Sequence, residues 1–410
     1  MTVTTGLSGN ELFCLAQKGF LPGNIVVGNS VHSLGIIGSV GSNLKAILGG
    51  ELTQVTRLIE EGRETALKRM FKEAETHNAS GITGVTSQLI LHGSNLEFLS
   101  IGSVIKSNNS GLKLFSTSAD GQELYAQLDA GYQPICFALG NVAYSMGVGR
   151  GIIGSIKTLR RGEITEYSNI FNDTRHLALK RIKAHALANH ANAILGIQTT
   201  ILPFSGVNEM LMIGTASKAP FLVGKGVDDV ITSDMTNIEM WNMASLGYMP
   251  MQLLLGTSVY SLGLVGGITA AIKSFARGEL TELSRLIYDA RENSLGIIND
   301  AAKAIGADDV VGVKTYVYQL GNGLVEFLAI GTAVKKSSSV QPQSSQLPPQ
   351  AIVVDKDTYY NLVSDYGLNV NINEGSKPIN KNVSSSVGAV ILLIVLFVFA
   401  IYHIIKAFFN

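Results

Sequence analysis

Two cysteines in 410 residues cannot build a disulfide framework of any size. Cys14 and Cys136 have no C-x-x-C spacing, which argues against a structural zinc site and for a reducing compartment. Charge is also scarce: 15% of residues are charged and the formal net charge is +0. Without a basic patch the chain has no electrostatic footprint for nucleic acid. Low charge suits surfaces that are buried against neighbours. No G-x-S-x-G elbow follows a strand, so nucleophilic catalysis has no support. Gly147-Val148-Gly149-Arg150-Gly151 lacks the Lys-Ser/Thr ending of a phosphate loop and reads as a tight turn. The N-terminus has no basic segment followed by an apolar run, so no signal peptide is expected. These absences point away from an enzyme.

What the chain does have is repetition. Gly28-Asn29-Ser30-Val31-His32-Ser33-Leu34-Gly35 returns as Gly140-Asn141-Val142-Ala143-Tyr144-Ser145-Met146-Gly147. It returns again as Gly256-Thr257-Ser258-Val259-Tyr260-Ser261-Leu262-Gly263, and the copies stand 112 and 116 residues apart. Glu51, Glu163 and Glu279 keep those offsets, as do Arg63, Arg175 and Arg291. Three modules of about 100 residues follow, a common domain size: 8–106, 120–218 and 236–336.

Each module opens on a capping box: Ser8 with Glu11, Asp120 with Glu123, Thr236 with Glu239. The spacing predicts short helices over 11–18, 123–130 and 239–246. Gly19, Gly131 and Gly247 suit the residue after each helix, and Pro22, Pro134 and Pro250 forbid its continuation. Strands are expected at 25–27, 135–138 and 251–255, each followed by the glycine-bearing phrase. A second short helix should carry Lys45, Lys157 and Lys273 and end near Gly50, Gly162 and Gly278. A long helix should start at Glu51, Glu163 and Glu279, where a carboxylate complements the positive helix end. Its apolar stripe in the first copy is Val55, Leu58, Ile59, Ala66, Leu67, Met70, Phe71 and Ala74. Its ends are expected at Asn78-Ala79, Asn192-Ala193 and Gly306-Ala307. A hairpin closes the module, with strands over 82–91 and 96–105 in the first copy and 310–318 and 324–334 in the third. The fold class is therefore α+β, a sheet with packed helices, repeated three times.

In the third copy Asp289-Ala290-Arg291-Glu292-Asn293-Ser294-Leu295 is followed by Ile305-Gly306-Ala307-Asp308-Asp309-Val310-Val311-Gly312-Val313 and Gly331-Thr332-Ala333-Val334. The order of these stretches resembles the YbjQ-like family, also called UPF0145 or DUF74. Weaker echoes stand at Gly81-Ile82-Thr83-Gly84-Val85 with Gly102-Ser103-Val104, and at Ala193-Ile194-Leu195-Gly196-Ile197 with Gly214-Thr215-Ala216. The resemblance implies a small α+β subunit that assembles into closed rings, typically pentamers, and it carries a heavy-metal-binding label. The chain departs from the family pattern: Gly49-Gly50 leads into Glu51, where the family usually has Gly-Gly-Arg, and members are usually single modules without an anchor.

The candidate site residues are the repeated charges. Arg63, Arg175 and Arg291 sit beside the apolar stripe. One reading pairs them with Glu51, Glu163 or Glu279 of a neighbouring module, since buried ion pairs fix register. The other joins them to Lys45, Lys157 and Lys273 as an anion site. The pairing is preferred, because repeated positions in repeat proteins mostly serve stacking. His176, His185 and His190 are spaced nine and five apart, unlike ligands on one helix face, and have no counterparts in the other copies. His32 aligns with Tyr144 and Tyr260. No metal and no cofactor are expected.

The stretch 387–409, opening on Val387 and closing on Phe409, is almost wholly apolar and long enough to cross about 30 Å of hydrocarbon. Residues 337–386, rich in Pro, Ser and Gln at their start, form a linker before it. Only Asn410 follows, so a single-pass tail anchor in the lipid bilayer is expected, with Lys377 and Lys381 favouring cytoplasmic modules. The whole reads as a non-enzymatic, tail-anchored homo-oligomer, a scaffold forming a ring, stacked rings or a dome. Five is not divisible by three, so for a pentameric ring tiers with one module per chain are the more natural arrangement, with a shell of mixed contacts as the other. A membrane-anchored metal or small-ligand sensor with pockets at module interfaces is the alternative. A channel ranks last, since 387–409 has no internal acidic or amide residue.

Overall fold

The structure, a computed structural model, describes residues 2–33, 50–92, 95–107, 111–145, 162–204, 207–222, 226–261, 281–321, 324–337 and 339–350. Three modules follow one plan. A short helix (α1, Gly9–Gln17) leads into a long strand (β1, Phe20–Ser33), then a two-residue strand (β2, Gly50–Glu51) and a long helix (α2, Thr53–Thr76). A hairpin (β3, Gly81–His92; β4, Asn95–Ser107) and a short strand (β5, Phe115–Ser116) complete the module. The second module repeats this with α3 (Gly121–Asp129), β6 (Gln133–Ser145), β7 (Gly162–Glu163), α4 (Thr165–Ala188), β8 (Ala193–Phe204), β9 (Val207–Lys218) and β10 (Ile231–Thr232). The third has α5 (Asn237–Ser245), β11 (Tyr248–Ser261), α6 (Thr281–Ala304), β12 (Asp309–Gly321) and β13 (Leu324–Lys336).

Each module's core is a three-stranded antiparallel sheet whose second hairpin strand lies in the middle, as in β1-β4-β3. The modules exchange strands. β2 leaves the first module to pair with β6 of the second, and β7 leaves the second to pair with β11 of the third. The long helix that follows each exchanged strand is thereby laid between its own sheet and the next one. Helix α2 packs on β1, β4 and β6, and α4 packs on β6, β9 and β11.

Several expected boundaries move. The strands run on past their expected ends through the described part of the glycine-bearing phrase: Gly28 and Gly140 lie inside 14- and 13-residue strands. At Gly140 the strand crosses its helix so closely that a Cβ would stand 2.5 Å from Ile182 N and 2.6 Å from Ala178 O. Gly28 and Gly256 face their helices in the same way. Glycine is needed there for contact, not for a turn. Pro22, Pro134 and Pro250 stand in the strands, just before register shifts that mark β-bulges. Glu51 and Glu163 belong to the exchanged strands, and the long helices begin at Thr53, Thr165 and Thr281. Gly50 and Gly162 are strand residues too, and the second short helix falls outside the described residues. The second long helix ends at Ala188, ahead of the expected Asn192-Ala193, and His190 follows it. His190 takes a left-handed backbone (φ 62°), as do its counterparts Asn78 (φ 52°) and Gly306 (φ 68°).

Gly19, Gly131 and Gly247 have the positive φ expected after the short helices. Ser8 and Thr236 make full capping boxes, but Glu123 does not return to Asp120. It accepts the backbone N–H of Asn237 in the third module instead. Glu11 likewise reaches Gly121 N at 3.1 Å. The short helices form a row, α1 against α3 and α3 against α5. The Ser/Pro/Gln stretch does not stand off as a spacer at its start. Val340 is buried, and Gln343 and Ser344 bond to Asp129 at the end of α3.

Candidate functional site: buried ion pairs between modules

The long helix brings its arginine to the middle of the boundary with the next module. Arg63 has no exposed surface. Its Nε donates to Glu209 Oε1 at 3.1 Å and its Nη2 to Oε2 at 2.7 Å. Nη1 donates to the carbonyl and hydroxyl of Ser87, both at 3.0 Å. The fork is therefore bidentate and each of its three nitrogens has a partner, the geometry in which arginine surpasses lysine. Arg175 repeats the contact one module on. Its Nη2 donates to both oxygens of Glu326, at 2.7 and 2.9 Å, and to the Tyr144 hydroxyl at 3.1 Å. Its guanidinium also lies over the rings of Tyr144 and Phe171, 4.9 and 5.2 Å from their centroids.

Burial acts to pull the Arg175 pKa down, but the Glu326 carboxylate outweighs it and holds the guanidinium above its ordinary value. Burial pushes the Tyr144 phenol up to about 12, against the pull of Arg175. Among the described residues Arg175 Nε and Nη1 find no partner, and neither does Thr199 Oγ1, the counterpart of Ser87.

The partners are not the expected ones. Glu51 instead binds Arg181 of the second module at 2.7 Å, and Glu163 accepts the Ser168 hydroxyl at 2.9 Å. Lys45, Lys157, Lys273 and Glu279 lie outside the described residues. Arg291 is exposed and forms no ion pair among the described residues. The carboxylates that matter, Glu209 and Glu326, align with Glu97 and so form a repeated row. The row was readable, but its second interval is 117 residues, not 116, because the third hairpin carries one extra residue.

His185 serves the sheet: its Nδ1 accepts Leu139 N–H at 3.2 Å, where Glu73 serves Val27 in the first module. His190 takes the left-handed position just after a helix, and His176 is exposed. His32 bonds Ser30 at 2.8 Å and meets the Phe98 ring edge-on. Among the described residues no three of His, Cys, Asp or Glu come together as a metal site. Cys14 is buried, Cys136 half-buried, and neither forms a disulfide.

The family described as "Putative heavy-metal-binding", YbjQ, matches residues 22–107, 132–219 and 235–337, one match per module. The chain belongs to the YbjQ family. An encapsulin nanocompartment protein of Mycobacterium tuberculosis is 28% identical over 234 residues, 54% of this chain and 87% of that protein. A UPF0145 protein of Thermoplasma volcanium is 37% identical over 79 residues, 19% of this chain and 65% of its own. One of Methanoregula boonei is 40% identical over 81 residues, 20% of this chain and 68% of its own. No solved structure matches. Among the described residues no helix is long and apolar enough to cross a membrane, and 387–409 lies outside them.

Proposed function

We propose that this triple YbjQ protein is a non-enzymatic scaffold that self-assembles into a ring or shell on the cytoplasmic face of a membrane, anchored through 387–409. The carrying observation is that one boundary is built twice in one chain, Arg63 to Glu209 and Arg175 to Glu326, both pairs without exposure. A contact in which the donor face differs from the acceptor face propagates, closing into rings or running into filaments. The similarity to an encapsulin nanocompartment protein supports the same reading. Because successive modules meet through one repeated face, a chain supplies an arc of three modules to one ring, in place of one module to each of three tiers. Membrane attachment rests on the apolar run 387–409, long enough to span about 30 Å of hydrocarbon.

Two measurements test the proposal. Purified full-length protein should give particles of several 43.6 kDa chains by mass photometry and closed outlines in negative-stain micrographs. Removing 387–410 should release the protein from membranes with its circular dichroism unchanged. A single-chain mass would end the scaffold reading. Sedimentation of the truncated chain with lipid after a high-salt wash would end the anchor reading.

A further inference from the structure

The repeated boundary has two open ends, and they match each other. At the end of the third module Arg291, the counterpart of Arg63 and Arg175, is exposed with no ion-pair partner among the described residues. On the open side of the first module Glu97, the counterpart of Glu209 and Glu326, pairs with no arginine among the described residues. Its carboxylate is held by His92 at 2.6 Å and Asn29 at 3.1 Å. We infer that the first module of a second copy of this chain docks against the third module of the first copy, placing the second copy's Glu97 on Arg291.

Three independent features of the two ends agree. Among the described residues, the apolar positions that seal the internal boundaries stand open at the two ends. Val27 and Val31 on β1 are 44% and 58% exposed, whereas their counterparts Leu139, Ala143, Leu255 and Val259 are all buried. What covers Leu139 and its neighbour Phe137 is known: they share a core cluster with Val85 of the preceding module. The third-module counterpart of Val85 is Val313, which is 43% exposed. The apolar pieces that seal each internal boundary are thus present, unsealed, at the two ends.

Backbone groups tell the same story. Ala143 N–H donates to the Thr56 hydroxyl at 2.9 Å, and Val259 N–H to the Ser168 hydroxyl at 2.8 Å. The next members of these two rows are Val31 and Ser284, one at each end and both exposed. The strand edges complete the match. β6 and β11 each receive a two-residue strand from the module before, while among the described residues β1 has no neighbour on that edge. An open strand edge is a template for pairing with another chain.

The interface is heterologous, so each added chain presents the same two ends again, and a closed ring holds a multiple of three modules. This rests on the self-assembly proposed above and adds which surfaces carry it.

Charge reversal on the full-length chain tests it. Glu97→Arg and Arg291→Glu each place like charges at the joint, and the double variant restores opposite charges with the sides exchanged. Mass photometry should show the parent and the double variant as particles of several chains, and each single variant at one chain, with circular dichroism unchanged throughout. Single variants at the parent's mass would overturn the interface while leaving self-assembly standing. A folded double variant that stays at one chain would overturn the direct pairing of Glu97 with Arg291. A parent of one chain would overturn both the interface and the assembly.

Discussion

Trp241 donates its indole N–H to Asp129 Oδ2 at 2.8 Å, across the boundary between the second and third modules. The same carboxylate, fully buried, takes Lys18 of the first module at 2.7 Å and the backbone and hydroxyl of Ser344 at 3.0 and 2.8 Å. One side chain therefore ties together all three modules and the segment that follows them. Burial acts to raise its pKa, and the bonds from Lys18, Trp241 and Ser344 outweigh that and hold it below the usual carboxylate range.

Asp129→Asn should cost about 1.5–3 kcal/mol at neutral pH, the range for hydrogen bonds to a charged group. A depressed carboxylate stabilises the fold above its unfolded pKa and stops doing so as pH falls through the folded value. The gap between parent and variant in urea unfolding should therefore be flat from pH 5 to 8 and shrink below about pH 4. A gap that widens in acid would show that the charge of Asp129 is not what holds the modules.

The Arg63–Glu209 pair should behave as a buried ion pair whose loss is felt far more than its replacement. Arg63→Ala strands a carboxylate away from water and should cost about 3–5 kcal/mol, as should Glu209→Ala. Replacing both together, as Arg63→Met with Glu209→Leu, should recover most of that loss, because desolvating the two charges offsets much of their attraction. A double-mutant cycle of Arg63→Met and Glu209→Leu with their own single variants, read by urea unfolding, gives the coupling. Additive losses would mean that the two side chains do not depend on each other.

Much of this was legible in the sequence and some was hidden for stateable reasons. The short helices, their glycine ends and the hairpins follow local rules of capping, left-handed backbone and alternation, and those rules hold here. The exchange of β2 and β7 into the next sheet was not legible. Two-residue strands such as Gly50–Glu51 have no periodicity to read, and Glu51 before a helix looks like a first-turn carboxylate. The importance of the arginine row was legible from its register, but its partners were not. Glu209 and Glu326 lie 146 and 151 residues from their arginines, a distance at which only the fold can bring them together. Gly28 was legible as a repeated glycine, but its reason, a helix backbone within reach of a Cβ, is tertiary.

That close approach makes a sharp prediction at Gly140. An alanine Cβ there would stand 2.5 Å from Ile182 N and 2.6 Å from Ala178 O, both backbone atoms of α4 that cannot rotate aside. The helix must shift from the sheet, so Gly140→Ala should cost about 1–3 kcal/mol or more. Gly196→Ala serves as a comparison, since its Cβ would meet nothing and only its positive φ (62°) resists the change. Thermal unfolding should place Gly140→Ala below Gly196→Ala. The reverse order would mean that backbone conformation, not helix contact, governs these glycines.

Glu123 supplies the last test, through pH. Its carboxylate accepts Asn237 N–H across the module boundary, and burial pushes its pKa up to about 7. The Asn237 N–H opposes the rise, and the nearby charges of Asp120 and Glu239 add to it. An acid that holds its proton more tightly when folded than when unfolded makes folding less favourable as pH rises between the two values. The window runs from the unfolded value of about 4.3 to about 7. Glu123→Gln keeps an acceptor for Asn237 but cannot ionise, so it lacks this dependence. The melting temperature of the parent, measured against that of Glu123→Gln, should therefore fall as pH is raised from 5 to 7.5 and level off above it. A difference that stays constant across the window, or that moves in the parent's favour as pH rises, would show that Glu123 is charged at the boundary throughout. The row of short helices would then be held by ionic bonds in place of neutral ones.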